Sequence, residues 1–286
     1  MQPALVPMYD APTYDGSTRL FFTIGHPVGQ IRMPRVMPSV FQALGVNAAW
    51  LTLDIAPGEL NAAMTGLRRI RNLDGLSITI PHKPGALAVA DRASNRAKAA
   101  GAANLLRFEP DGTLTADMVD GIGFVEGLRV RGFEPAGKRV WLVGSGGAGS
   151  AIAAALCEAG VAAMALSDLD RPRAERAAAR LADLYPGVAL SAVAAVPDGC
   201  ELAINASPCG MYEDDPLPFD PARLAPGTMV AEAVMKPPVT ALLERAAALG
   251  LPVQPGRPML DYQLVHVLRF FGIHADTGTV LRAIPD

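Results

Sequence analysis

Val140-Trp141-Leu142-Val143-Gly144-Ser145-Gly146-Gly147-Ala148-Gly149 is the stretch on which the fold turns. Four apolar residues that read as the end of a strand run without a break into a GxGxxG hexapeptide, and Ala148 to Ala159 then reads as a helix. Strand, glycine-rich turn and helix in that order are what the dinucleotide-binding fingerprint requires. Glycine lets the backbone turn sharply and approach a pyrophosphate, and the helix start offers it unpaired N–H groups and a partial positive charge. Gly144, Ser145, Gly146, Gly147, Ala148 and Gly149 are therefore read as a cofactor loop, against the plainer alternative of an ordinary strand-to-helix turn.

Downstream, Ala162 to Ser167 reads as the next strand and ends on Asp168, about as far along as the fingerprint expects an acidic residue. A carboxylate there accepts hydrogen bonds from ribose hydroxyls and repels a 2'-phosphate, which favours NAD without excluding NADP. Arg171 and Arg173 stand within reach of such a phosphate. Asp168 also reads as an N-cap for a helix over Arg171 to Leu184, a role Asp170 fills as well.

Outward in both directions, apolar runs alternate with helical patterns. Leu20 to Ile24, Ala48 to Leu53, Leu76 to Thr79, Arg139 to Val143, Leu202 to Asn205 and Thr228 to Ala231 read as strands, and Arg35 to Leu44 and Leu60 to Ile70 as helices. That alternation predicts an α/β chain with parallel sheets covered by helices. At 286 residues two domains are expected, and Arg131 to Lys138, rich in Gly and Pro, has the character of a boundary.

With 50% hydrophobic and 19% charged residues the chain suits a well-buried enzyme and not a disordered one. A net charge of -3 and a basic run confined to Arg68-Arg69-Ile70-Arg71, at a helix end, argue against nucleic-acid binding. Three cysteines and four histidines in no ligand spacing argue against disulfides and metal sites. The absence of a signal-like start or a membrane-length apolar run predicts a cytoplasmic protein.

A second constellation surrounds the fingerprint. Gly75-Leu76-Ser77-Ile78-Thr79-Ile80-Pro81-His82-Lys83 places a lysine just after a strand-end proline. Gly101-Ala102-Ala103-Asn104, Asp117-Met118-Val119-Asp120-Gly121-Ile122-Gly123, Asn205-Ala206-Ser207-Pro208-Cys209-Gly210-Met211 and Gly256-Arg257-Pro258-Met259-Leu260-Asp261-Tyr262-Gln263 follow. Singly, these are a surface lysine, turn formers and a solvated helix position. Together and in this order they resemble the shikimate/quinate dehydrogenase family from Gly25 to the C-terminus.

The resemblance implies an N-terminal α/β substrate domain and a Rossmann-type, doubly wound dinucleotide-binding domain. Residues 1–122 and 255–286 would form the first and 123–254 the second. It implies an NAD(P)-dependent oxidoreductase moving hydride between nicotinamide and the carbinol or ketone carbon of a cyclic hydroxy acid. Lys83 and Asp120 match the catalytic pair; Ser77, Thr79, Asn104 and Gln263 match substrate positions; Asn205, Ala206, Ser207 and Met211 match the segment beside the nicotinamide. Hydride leaves a carbinol carbon only as the hydroxyl proton is removed, so Lys83 is the expected base or electrostatic anchor, oriented by Asp120. Monomer and homodimer both remain open.

The chain also departs from the family. Two serines that hold the substrate carboxylate fall on Ile31 and Met33, a tyrosine near it on Met235, an Asn-Thr pair on Met118-Val119, an Asn on Ser77 and a Thr on Leu105. Each lost donor leaves a buried polar group unpaired at a cost of about 1 to 3 kcal/mol. Arg32, between the lost serines, either replaces them with a bidentate grip on a carboxylate or faces solvent from its loop. The competing class is a catalytically idle sensor that binds a dinucleotide or metabolite.

Overall fold

The computed structural model describes residues 14–29 and 31–285. Strands β1 (Arg19–Gly25), β2 (Ala48–Asp54), β3 (Leu73–Ile78), β4 (Arg92–Ala93), β5 (Leu105–Phe108) and β6 (Leu114–Asp117) form one six-stranded sheet in the order β2-β1-β3-β5-β6-β4. Helices α1 (Met33–Leu44), α2 (Leu60–Leu67), α3 (Lys83–Ala88) and α4 (Asn95–Ala100) connect them, and α5 (Asp120–Val130) leads out of the sheet. β7 (Arg139–Val143), β8 (Ala163–Ser167), β9 (Ala189–Ala192), β10 (Leu202–Asn205), β11 (Met229–Glu232) and β12 (Val253–Gln254) form a second sheet, with α6 (Gly147–Glu158), α7 (Arg171–Leu184) and α8 (Ala241–Ala248) between strands. Helices α9 (Arg257–Phe270) and α10 (Thr277–Ala283) close the chain.

The second sheet is parallel at every pairing and reads β9-β8-β7-β10-β11-β12 across, the doubly wound order. Its central strands are apolar runs because helices cover both faces: Leu142, Leu166, Leu202 and Ile204 are all fully buried. The strand order reverses between β7 and β10, so a crevice opens beyond Val143 and Asn205.

The first sheet differs from the expected all-parallel form. β1 pairs in parallel with β2 and β3, but β3–β5 and β5–β6 are antiparallel. The reversal from β5 to β6 is made by Glu109-Pro110-Asp111-Gly112, where proline presets the turn and Gly112 takes φ +83. Helix α2 also stops at Leu67, three residues short of the expected Ile70, and the basic run begins at its C-cap, Arg68.

Phe21, Phe41, Trp50 and Phe271 stack at centroid distances of 5.0 to 6.3 Å, which fixes the C-terminal helices onto the first sheet. Helix α5 joins the two halves, packing on α6 through Gly121 and on α9 through Gly123, where a Cβ would strike the backbone of Ala151 and Met259. That packing aims the N-terminus of α5, and with it Asp120, at the crevice.

Among the described residues no helix is long and apolar enough to cross a membrane, and no group of three or more His, Cys, Asp or Glu is placed to hold a metal ion.

Candidate active site

Lys83 opens α3 and Asp120 opens α5, where the helix dipole favours a carboxylate. The two meet: Lys83 Nζ donates to Asp120 Oδ2 at 2.5 Å, with side chains only 18% and 13% exposed. Asn104 Nδ2 donates to Asp120 Oδ1 at 2.6 Å while its own Oδ1 accepts from Val119 N at 2.9 Å. The carboxylate is thus held on both oxygens, and the ammonium is held by the carboxylate. Asn104 lines the cleft, but its amide is spent largely on fixing Asp120.

All three line a cleft of about 1720 Å³ that runs from the first sheet to the second. A site for one small ligand is commonly about 300 to 1,000 Å³, so this one has room for two. Ser77, Thr79 and Gln263 also line it, and their side chains make no hydrogen bond among the described residues, which leaves them available to a ligand. Gln263 packs on Gly123, one helical turn from Asp120. Arg32 lines the cleft half-buried at the N-cap of α1, without an ion-pair partner among the described residues.

The apolar departures divide. Ile31, Met33, Leu105 and Met235 line the cleft. Met118 and Val119 do not: each is 1% exposed and packed in the core, so no polar ligand group is lost there.

On the other side, Gly144 takes φ +101 against Ala206 and Ser207, where a Cβ would meet Ser207 N at 2.6 Å. A Cβ at Gly146 or Gly147 would meet nothing within 4 Å, so this backbone is open to close approach. No side chain caps the N-terminus of α6. Bare N–H groups, an open glycine face and a helix dipole fit a pyrophosphate. Gly144, Gly146, Gly147 and Ala148 line the cleft; Ser145 and Gly149 lie behind them, and a Cβ at Gly149 would strike the carbonyl of Gly144.

Asp168 lines the cleft and accepts from Ser145 N at 2.7 Å and Asp170 N at 2.9 Å, so it also braces the glycine loop. Asp170 caps α7 by accepting from Arg173 N at 3.2 Å. Arg173 faces the cleft beside both carboxylates, at 3.7 and 3.6 Å, whereas Arg171 turns away to Glu175.

Ala206, Ser207 and Met211 line the cleft as expected of that segment, but Asn205 does not. Read as cofactor-contacting, it is instead fully buried, its amide consumed by Glu232, Cys209 O, Ser207 N and Ser207 Oγ. Glu232 had no place in the sequence reading. Burial pushes its carboxyl up to about 7 although hydrogen bonds from Val234 N, Asn205, Thr240 and Ala233 N oppose the shift. The available signal was a carboxylate ending the apolar run Met229-Val230-Ala231.

Residues 23–106 match the family model for the shikimate dehydrogenase substrate binding domain. The shikimate dehydrogenase (NADP(+)) of Rubrobacter xylanophilus is 38% identical over 96% of this chain and 98% of its own. Among solved structures, the quinate dehydrogenase from Corynebacterium glutamicum in complex with NAD superposes with a TM-score of 0.83 at 28% identity, over 93% of this chain and 98% of that one. The 5-ketofructose reductase of Gluconobacter sp. strain CHM43 does so with a TM-score of 0.83 at 27% identity, over 93% and 97%. With the relationship running through both sheets and the cleft between them, this chain belongs to the shikimate dehydrogenase family.

Proposed function

We propose that the chain is a cytoplasmic NAD(P)-dependent dehydrogenase of a cyclic hydroxy acid, with residues 1–122 and 255–286 binding the acid and 123–254 the dinucleotide. The observation that carries this reading is the Lys83–Asp120 pair lying in the same cleft as the glycine loop. Nicotinamide supplies the hydride donor or acceptor. Lys83 holds the reacting oxygen, delivers a proton from Nζ as the ketone is reduced and takes one back as the alcohol is oxidised, while Asp120 keeps it aimed and Asn104 keeps Asp120 aimed. Ser77, Thr79 and Gln263, without partners of their own, bind ring hydroxyls, and Arg32 grips the carboxylate in place of the missing serines.

NAD is the preferred dinucleotide. Asp168 and Asp170 put two carboxylates at the ribose end of the cleft, and the cleft-lining Arg173 is already beside both, with Arg176 3.9 Å from Asp170. The relatives named for NADP(+) and the structure holding NAD leave room for either within the family.

The test is reduction of NAD with a panel of cyclic hydroxy acids, comparing wild type with Lys83→Ala. Turnover that falls about 10²- to 10⁴-fold, with dinucleotide affinity unchanged, supports the reading. Tight dinucleotide binding with no turnover of any acid would establish a sensor instead.

A further inference from the structure

We infer that Glu232, which takes no part in the proposed reaction, is the positioning residue that holds both cofactor-side walls of the cleft in place, acting through Asn205, Val234 and Thr240. The inference rests on the dinucleotide-binding reading of the glycine loop. Glu232 ends β11 directly opposite Asn205 in the register of β10, and both side chains are fully buried. Its two oxygens reach three separate segments. Oε1 accepts from Asn205 Nδ2 at 2.8 Å and from Val234 N at 3.1 Å, and Oε2 accepts from Thr240 Oγ1 at 3.0 Å.

Each partner governs part of the cleft. Asn205 spans the turn after β10, donating to Cys209 O at 2.9 Å and accepting from Ser207 N at 3.0 Å and Ser207 Oγ at 2.6 Å. That turn carries Ala206 and Ser207, which pack against Gly144 of the glycine loop. Val234 begins the segment that brings Met235 and Lys236 to the cleft, and Thr240 caps α8, where that segment ends.

An amide has a donor end and an acceptor end, and Glu232 and Cys209 O together, both accepting from Nδ2, set which way Asn205 faces. With Nδ2 turned to Glu232, Oδ1 faces Ser207 and the turn is closed. Without that acceptor Cys209 O alone holds Nδ2 in place, and a reversed amide would set N–H against Ser207 N and lose that contact, while Ser207 Oγ could turn to accept. A backbone displaced at Ala206 displaces the wall on which the glycine loop rests.

The test is direct titration of the folded protein with NADH and NADPH, followed by melting temperature, for wild type, Glu232→Ala, Glu232→Gln and Thr240→Val. None of these measurements needs the acid substrate. Dissociation constants should rise about tenfold or more in Glu232→Ala. Glu232→Gln, whose carbonyl keeps both Oε1 contacts, should stay within about twofold of wild type, and Thr240→Val should shift in the same direction as Glu232→Ala by about threefold. If Glu232→Ala does not fold, the contrast between Thr240→Val and Glu232→Gln decides. Unchanged affinity in Glu232→Ala, or in Thr240→Val where only that folds, would overturn the inference even if the melting temperature drops. A wild-type protein that binds neither dinucleotide would overturn the functional reading and this inference with it.

Discussion

Replacing Glu232 by Gln should make the protein more stable than wild type at alkaline pH and by much less at acid pH. The carboxyl, ordinarily at 4.5, is pushed up to about 7, chiefly by burial. Between those values the native state holds a proton that the unfolded chain has released. The stability contributed by the protonated form is therefore complete below about 4.5, declines as pH rises, and is lost once pH passes about 7. The interval corresponds to about 3 kcal/mol in total, of which about 2.5 kcal/mol falls between pH 5 and 8.5. Gln has no proton to lose. Its carbonyl still accepts from Asn205 and Val234, and the Thr240 hydroxyl rotates to accept from its amide. Thermal unfolding of both proteins at pH 5 and 8.5 reads the difference: the gap in Tm should widen in favour of Glu232→Gln by roughly 4 °C at the higher pH. A gap that is the same at both pH values, or that widens in favour of wild type, would refute a carboxyl destabilised by burial.

Asp168→Asn removes the charge, its single carbonyl oxygen keeping one of the two backbone contacts, so the ratio of kcat/KM for NADP to that for NAD should rise about tenfold; paired steady-state assays check this. Arg32→Ala should raise KM for the acid about 10- to 100-fold with little change in kcat, since a grip on a distant carboxylate is made equally in ground and transition states. Burial pushes the thiols of Cys157 and Cys200 up to about 12 and about 11, so at pH 8 an alkylating reagent should label Cys209 alone in the folded protein. Cys209 lines the cleft, so NAD should slow that labelling, as peptide mass spectrometry would show.

The glycine loop was legible because its signal is local: a strand, a turn needing positive φ at Gly144 and a helix start lie within a dozen residues. β5 and β6 escaped notice because Arg107 in one and Thr115 and Asp117 in the other break the apolar run that marks a buried strand, although Pro110 and Gly112 marked the turn between them. Asn205 was misplaced for a different reason. A motif names a residue's neighbours in sequence, while the direction of a strand side chain depends on which strand lies beside it. Only the pairing of β10 with β11 sets Asn205 against Glu232 and turns both away from the cleft. A carboxylate after three apolar residues reads as the wet end of a strand, and nothing local reveals that Thr240 and Asn205 will close over it.

The departures from the family acquire a pattern only once they are located in space. Lys83, Asp120 and Asn104, to which the proposed function gives the handling of the proton, keep their types, and Lys83 and Asn104 both contact Asp120. Ile31, Met33 and Met235, which stand where the resemblance implies carboxylate-holding side chains, all line the cleft and are all apolar. Met118 and Val119 change type in the core, where an apolar residue is the stabilising choice. Apolar walls contribute little to holding a carboxylate, which is why the proposed grip falls to Arg32, a cleft-lining cation without an ion-pair partner among the described residues. On the proposed reading the reaction centre is preserved while the anchoring end is rebuilt, so the divergence of this chain falls in what it recognises and not in the chemistry it performs.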